Sequence, residues 1–414
     1  MPNTQYLKAA VRCALYCLLI FTPMARASVQ PWAVTAVHIV TLIALAAFLL
    51  EKTLTGEFKW IKTPLDIPII CLLFLCLLST VFSMHRPISA WSVALLLDYI
   101  IIFYLTMHTF RTRSQLRSLA FLIIGVAAFL SLFGLFKWFG VNPFSWWEYS
   151  DIPQDPTRLS ATFGNPDHLA GYMEMSLLLI LGLFLLGFRP GTLALLCYIS
   201  CLLLCALILS LSRGGWFGAF IGLLFMAACL LADKHFKRKR MILTIMGGSL
   251  AAALIVFSTT PVVERVLTLT ERKPATNLQG RLTAWAGMVD IIKEHPVTGT
   301  GPGTFATVFT QYQPAGVACR YFRGHNDYLH FVSEAGLPLI AVMLWMILGL
   351  YRRGLHKAKN PSRLVRGITI GAMSGITAVL VHGLGDFNLH IPSNAILFAV
   401  FAAIVVSPLP SHSE

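Results

Sequence analysis

The chain has 414 residues, of which 57% are hydrophobic and only 12% charged, and its mean hydropathy is +0.73. A soluble domain carries about 25% charged residues, so this composition excludes the soluble globular class. The net charge of +14 follows membrane topology, as set out below, and does not indicate nucleic-acid binding, which calls for a basic stripe on a soluble fold.

Apolar runs near the length needed to cross a hydrocarbon core, about 17 to 25 residues, recur from one end of the chain to the other. In order they are Ala9 to Met24, Trp32 to Leu50, Leu65 to Ser83, Ser89 to Phe110, Ser118 to Phe139, His168 to Phe188, Thr192 to Ser210, Gly214 to Leu231, Met241 to Thr260, Leu337 to Tyr351, Gly367 to Gly385 and Ser393 to Pro408. In lipid such runs must be helical, because every backbone amide needs an internal partner. The expectation is an all-α polytopic membrane protein of about twelve spans. A long, partly helical loop from Pro261 to Gly336 lies on the far side. No internal repeat or appended soluble domain is evident, so residues 1–414 read as a single integral membrane domain.

Orientation follows from the basic residues. Lys8, Arg12, Lys52, Lys59, Lys62, Arg111, Arg113, Arg117, Arg189, the run Lys234 to Arg240, and the run Arg352 to Arg366 fall in alternate short connections and hold most of the Lys and Arg. The positive-inside rule then places both termini in the cytoplasm and the long loop outside. The first run ends in Ala25-Arg26-Ala27, an A-x-A-like cleavage site; cleavage would leave the remaining orientation unchanged. All cysteines but Cys319 lie in apolar spans, which fits neither a disulfide nor a zinc framework. Cys197, Cys201 and Cys205 share a helix face, better explained by small-residue packing than by a soft metal.

Three places break the apolar pattern on the far side. Arg213, in a short connection between two spans, is either an arginine snorkelling to headgroups or a site group; the flanking Gly214 and Gly215 allow close backbone approach to a ligand. Gly280 to Glu294 reads as an amphipathic helix whose apolar stripe is Leu282, Trp285, Met288, Val289 and Ile292. Arg281 near its N-terminus costs helix stability unless it faces an anion. His325, before the tenth span, is a general base or a structural histidine. Its neighbours Asp327 and His330 permit a metal reading, but no metalloprotease-like spacing is present, so no metal or cofactor is expected. The glycines of Gly299-Thr300-Gly301-Pro302-Gly303-Thr304 lack the G-K-[ST] ending of a phosphate loop and read as a tight turn.

The order of these motifs, L-S-R-G-G-W at 211–216, G-R-L-T-A-W at 280–285, E-H-P-V-T-G-T-G-P-G-T-F at 294–305 and H-N-D-Y-L-H-F-V-S-E-A-G-L-P at 325–338, resembles the O-antigen ligase and polymerase superfamily of bacterial envelope glycosyltransferases. The resemblance is strongest over 192–351. R-L-S-A-T-F-G-N-P-D-H-L-A-G-Y at 158–172 and D-F-N-L-H-I-P-S-N-A at 386–395 support it, while Leu339 departs from it, standing where many members have glycine. The resemblance implies a layout similar to GT-C-type membrane glycosyltransferases. It also implies inverting transfer of a glycan from undecaprenyl diphosphate to an acceptor sugar, the lipid A core, at the periplasmic face of the inner membrane. Arg213 and Arg281 would grip the diphosphate and His325 would take the acceptor's proton. Arg320, Arg323, Asp386, His382, His390, Asn165 and His168 are further candidates on that side. The close alternatives are a polymerase or a protein oligosaccharyltransferase. A transporter or flippase belongs to a different class, whose repeat symmetry is absent from the sequence.

Overall fold

The computed structural model describes residues 2–56, 58–142, 144, 157–232, 244, 247–248, 278–313 and 321–408. The expected span Met241 to Thr260, the first part of the long loop, Cys319 and Arg320 fall outside them, apart from three isolated residues of that span.

Among the described residues the fold is all helical. In chain order the helices are α1 (Pro2–Met24), α2 (Pro31–Thr55), α3 (Asp66–Val81), α4 (Arg86–Thr109), α5 (Arg113–Trp138), α6 (Pro166–Leu183), α7 (Pro190–Leu209), α8 (Arg213–Ala232), α9 (Leu278–Glu294), α10 (Phe305–Val308), α11 (Asp327–Ala335), α12 (Pro338–Lys357), α13 (Arg363–His382) and α14 (Pro392–Val406). Nine of these, α1, α2, α4 to α8, α12 and α13, are long and apolar enough to cross a membrane, while α3 and α14 are apolar but shorter. They correspond to eleven of the twelve expected runs.

The boundaries have local causes. Proline in the first turn opens α2, α4, α6, α7, α12 and α14, where its missing N–H is no loss. Thr112 and Gln115 form a reciprocal capping box at α5.

The centre of the bundle is the pair α6 and α13. Gly367, Gly371 and Gly375 recur every fourth residue on α13, and a Cβ on each would stand 2.4, 2.9 and 3.1 Å from the nearest backbone atom of α6, at Gly182, Leu178 and Met175. Small residues at this spacing let two membrane helices meet backbone to backbone. α6 is thereby almost wholly buried, which brings its polar residues against the end of α13.

Connections at one end of the bundle are tied together. Thr162 Oγ1 donates to the Pro23 carbonyl at 2.7 Å, the Leu159 N–H to Leu209 at 2.8 Å and the Met84 N–H to Thr300 at 3.0 Å. The Asp327 N–H donates to Gly383 at 2.9 Å. Ala25-Arg26-Ala27 is a buried turn of this end, with Arg26 only 2% exposed. The opposite end carries the basic residues of the short connections, where Lys8 and Lys52 pair with Glu51 and Arg117 lies over Phe188.

The amphipathic helix of the loop is present as α9, but its buried face differs from the expected one. Ala284, Met288 and Ile291 are buried, whereas Leu282 and Val289 are exposed. The face is turned by one residue, about 100°. Its cause is Gly287, where a Cβ would stand 2.6 Å from the Phe309 ring: this close approach brings Ala284, Met288 and Ile291 into one cluster with Phe305 and Phe309.

Candidate active site

The turn between α13 and α14, residues 383–391, is the floor on which the candidate residues meet. Asn326, the N-cap of α11, accepts the Leu329 N–H and donates from Nδ2 to the Leu384 carbonyl at 2.9 Å. Together with the Asp327 backbone bonds to Gly383 and Asp386, this fixes His325 directly above the turn. His325 has a φ of +50°, a left-handed conformation that costs a non-glycine residue about 1–3 kcal/mol and concentrates at functional sites. Leu211, beside Arg213, and Ala161, in the segment packed under it, share this conformation with φ of +52° and +48°.

His325 is 35% exposed, and its Nδ1 faces Oδ1 of the buried Asp386 at 3.4 Å. That is an ion-pair distance and too long for a good hydrogen bond, as apo catalytic pairs often are. Burial alone would raise the Asp386 carboxyl. The contact with His325 and the fields of His168 and His382 outweigh it and hold the group below the usual carboxylate range. Asp327, one turn away, behaves oppositely. Burial raises it well above that range, and burial also lowers its 2.6 Å partner His390. Environments that split two carboxylates in this way assign them different roles. Asp386 is the ionised partner of His325.

Arg281 reaches the same turn from α9. Its guanidinium lies 3.8 Å from where a Cβ on Gly385 would stand. Four residues on, Trp285 Nε1 donates to the His325 carbonyl at 3.2 Å, which ties α9 to the His325 segment. Arg213 opens α8, half-buried. The turn before it is held by Arg158, which donates from Nε to the Ser210 carbonyl at 2.9 Å and pairs with Asp167 at 2.8 Å. Ser212 Oγ stands 3.5 Å from His382 Nε2, and a Cβ on Gly214 would stand 2.5 Å from the same ring. The space made by that glycine is occupied by His382 rather than open to a ligand, a use the sequence pattern does not distinguish from ligand approach.

Of the remaining candidates, His382 and Asp386 join His325. His168 packs edge-on against Phe387, whose other contact is His325. Asn165 caps α6 by accepting the Asp167 N–H at 2.8 Å. His390 stacks on His330 at 4.1 Å and pairs with Asp327, apart from His325. Arg323 is electrostatically close to Tyr99, Asp327, His330 and His390, on the flank of the site. Arg320 lies outside the described residues.

Sequence reasoning missed Glu174, a fully buried acid in α6 that faces His382 Nδ1 at 3.2 Å. An acid inside an apolar span is a signal in itself, and that signal was available. It also missed Glu334, whose carboxylate accepts the N–H groups of Gly303 at 2.8 Å and Phe305 at 3.0 Å. The glycine-rich turn 299–304 is thus a nest for a carboxylate of its own fold.

His330, Glu334 and His390 bring three ligand-type atoms within 4.8 Å of one another. The Gly324 N–H points at His330 Nδ1 from 3.4 Å, which leaves the ring proton on Nε2, directed at Glu334 Oε1 at 3.2 Å. With Glu334 also taking two backbone donors, hydrogen bonding accounts for this cluster better than a cation does.

Residues 198–344 match the protein family described as O-antigen ligase; the matched segment, which carries Arg213, Arg281 and His325, is of that family. No curated protein matches the chain.

Proposed function

We propose that the chain is an inverting, metal-independent glycosyltransferase of the O-antigen ligase type. It moves a glycan from undecaprenyl diphosphate to the lipid A core oligosaccharide at the periplasmic face of the bacterial inner membrane. The observation that carries this reading is the convergence on one stretch, 382–387, of a partly exposed histidine paired with a buried carboxylate, a guanidinium from α9, and, through Ser212 and His382, the turn that precedes Arg213 at the start of α8.

Nδ1 of His325 faces Asp386, so Nε2 is left for the acceptor hydroxyl. It takes the hydroxyl proton as the oxygen attacks the anomeric carbon from the face opposite the diphosphate. The bond from that carbon to the phosphate oxygen breaks, and the electron pair leaves with the diphosphate. Charge then accumulates on the leaving group, where two permanently protonated guanidiniums make bidentate, charge-assisted contacts. In a site drier than bulk water these contacts strengthen as the bond breaks. The start of α8 adds the positive end of a helix dipole to Arg213.

The test is transfer by the purified enzyme from a defined undecaprenyl-linked glycan, with core lipopolysaccharide, a second lipid-linked repeat or a protein offered as acceptor. Extension of the core is expected. Extension of the lipid-linked repeat would assign a polymerase, and extension of the protein an oligosaccharyltransferase. Movement of the donor across vesicles without transfer would assign a flippase.

A further inference from the structure

Beneath His325 lies a layer of ionisable groups that the transfer step itself does not touch. Glu174 Oε1 faces His382 Nδ1 at 3.2 Å, with side-chain exposures of 0% and 1%. Nε2 of the same ring faces Asp386 Oδ2 at 3.7 Å, and Asp386 Oδ1 faces His325 Nδ1 at 3.4 Å. The four groups come from α6, α13, the turn after α13 and the loop before α11, and form one line from the bundle interior to the base.

Packing alone does not call for this line. Ionisable groups inside a membrane bundle are costly and are retained where they serve a site. The neighbouring helix is also cut to admit them: a Cβ on Gly214 would stand 2.5 Å from His382 Cδ2, and one on Gly218 would stand 2.7 Å from Glu174 Oε2. An imidazole between two carboxylates serves both only when both nitrogens carry protons, Nδ1–H toward Glu174 and Nε2–H toward Asp386. A ring in that state is a cation beside Asp386, whereas a neutral ring donates to only one of the two carboxylates.

We propose that Glu174 and His382 are positioning residues: acting through Asp386, they keep its carboxylate ionised and aimed at Nδ1 of His325, so that Nε2 of His325 is presented to the acceptor hydroxyl. This rests on the reading of His325 as the base. Glu174→Gln isolates the charge, because it keeps the size of the side chain and a hydrogen-bonding oxygen for His382.

The experiment uses the full chain in lipid nanodiscs with an undecaprenyl-linked glycan as donor. Glu174→Gln and His382→Gln are each expected to lower kcat about 10- to 100-fold, less than the roughly 10²- to 10⁴-fold worth of the general base that they position, with the donor KM unchanged. The titratable groups facing Asp386 are His325 from the loop, His168 from α6, His382 from α13 and Asp327 from α11, with Arg281 of α9 beside Gly385. Removing the support of His382 therefore lets Asp386 protonate at higher pH, and an acid limb absent from the wild type is expected in the rate profile of Glu174→Gln. A readout independent of turnover is the ¹⁵N ring resonance of His325, assigned by its loss in His325→Gln. It is expected to report Nδ1–H in the wild type and a mixture of tautomers in Glu174→Gln.

Wild-type kcat, pH profile and ring resonance in Glu174→Gln would overturn the proposal. So would failure of both variants to fold, since that assigns the line to folding. If the wild type transfers to no acceptor, the functional reading fails, and the ring resonance still decides whether Glu174 positions His325.

Discussion

His325 is held in a left-handed backbone conformation with one ring nitrogen facing Asp386, so its contribution is separable from that of the arginines. His325→Ala is expected to reduce glycan transfer by about 10²- to 10⁴-fold, the usual worth of a general base. Arg213→Ala and Arg281→Ala are expected to abolish detectable transfer, and Arg281→Lys not to restore it, because an ammonium cannot reproduce a bidentate grip on a diphosphate. Initial rates of the purified variants at saturating acceptor check all four; a fully active variant at any of the three positions would remove it from the site. Asp386 carries the pH argument. Its folded value lies below the unfolded carboxylate value of about 3.9. The stabilisation it contributes is therefore complete above that unfolded value and is lost only as pH falls toward the folded one. The expected profile has no Asp386 limb between about pH 5 and 8, and Asp386→Asn lowers the rate by at least about 10-fold across that whole window rather than at its acid edge. Measuring kcat against pH in both proteins separates these outcomes. Arg213, Arg281 and His325 stand out in the sequence as candidates because each interrupts an apolar pattern beside a glycine or a helix start. Glu174 was passed over because a lone acid in a long apolar run is easily absorbed into the span, and only its placement against His382 gives it a partner.

At the scale of helices, the expected run lengths matched well because hydropathy reports how long a segment is buried in lipid. The rotation of a helix about its axis is set by the shape of what it packs on. In α9 the large residues Leu282 and Val289 turn outward while Ala284 and Gly287 meet Phe309, an outcome that a pattern of apolar residues cannot rank. The same holds for α6 and α13, whose Gly367, Gly371 and Gly375 stripe is a plain sequence signal for close helix approach that hydropathy does not weigh. Gly371→Ala would place a Cβ 2.9 Å from the Leu178 carbonyl and the Leu179 Cα, and backbone there cannot move aside as a side chain can. Overpacking of this kind costs about 1–3 kcal/mol. The expected result is a lower unfolding temperature in detergent together with a loss of transfer, because α6 carries Glu174 and α13 carries His382. Gly56→Ala serves as the control: its Cβ meets nothing within 4 Å, although its φ of +64° carries a cost of its own. It is expected to keep full transfer activity. An unchanged unfolding temperature in Gly371→Ala would show that the two helices are less closely fitted than their backbone distances indicate.

For the whole molecule, the two ends of the bundle differ in charge and in chemistry, and the difference is what makes a lipid-linked donor sensible. Lys8, Lys52, Arg117, Arg189, Arg352 and Lys359 belong to the end opposite His325, and short basic connections are retained in the cytoplasm. On the proposed orientation the candidate site faces the other compartment, where a transferase must use a donor activated before it arrives, as a sugar diphosphate on a lipid is. Topology is therefore a direct test of donor class. The eight described cysteines are free, so replacing them breaks no disulfide among the described residues, and replacing Cys319 as well leaves a cysteine-free background for single-cysteine labelling. Val297 lies on the site end and is 63% exposed, while Lys359 lies on the basic end and is exposed. With a membrane-impermeant maleimide on intact cells, Val297→Cys is expected to label at once and Lys359→Cys only after permeabilisation. The reverse pattern would put His325, Arg281 and the Arg213 turn on the cytoplasmic side. Nucleotide-linked donors would be available to them there, and the case for a lipid diphosphate would lose its energetic basis even if the three side chains proved essential.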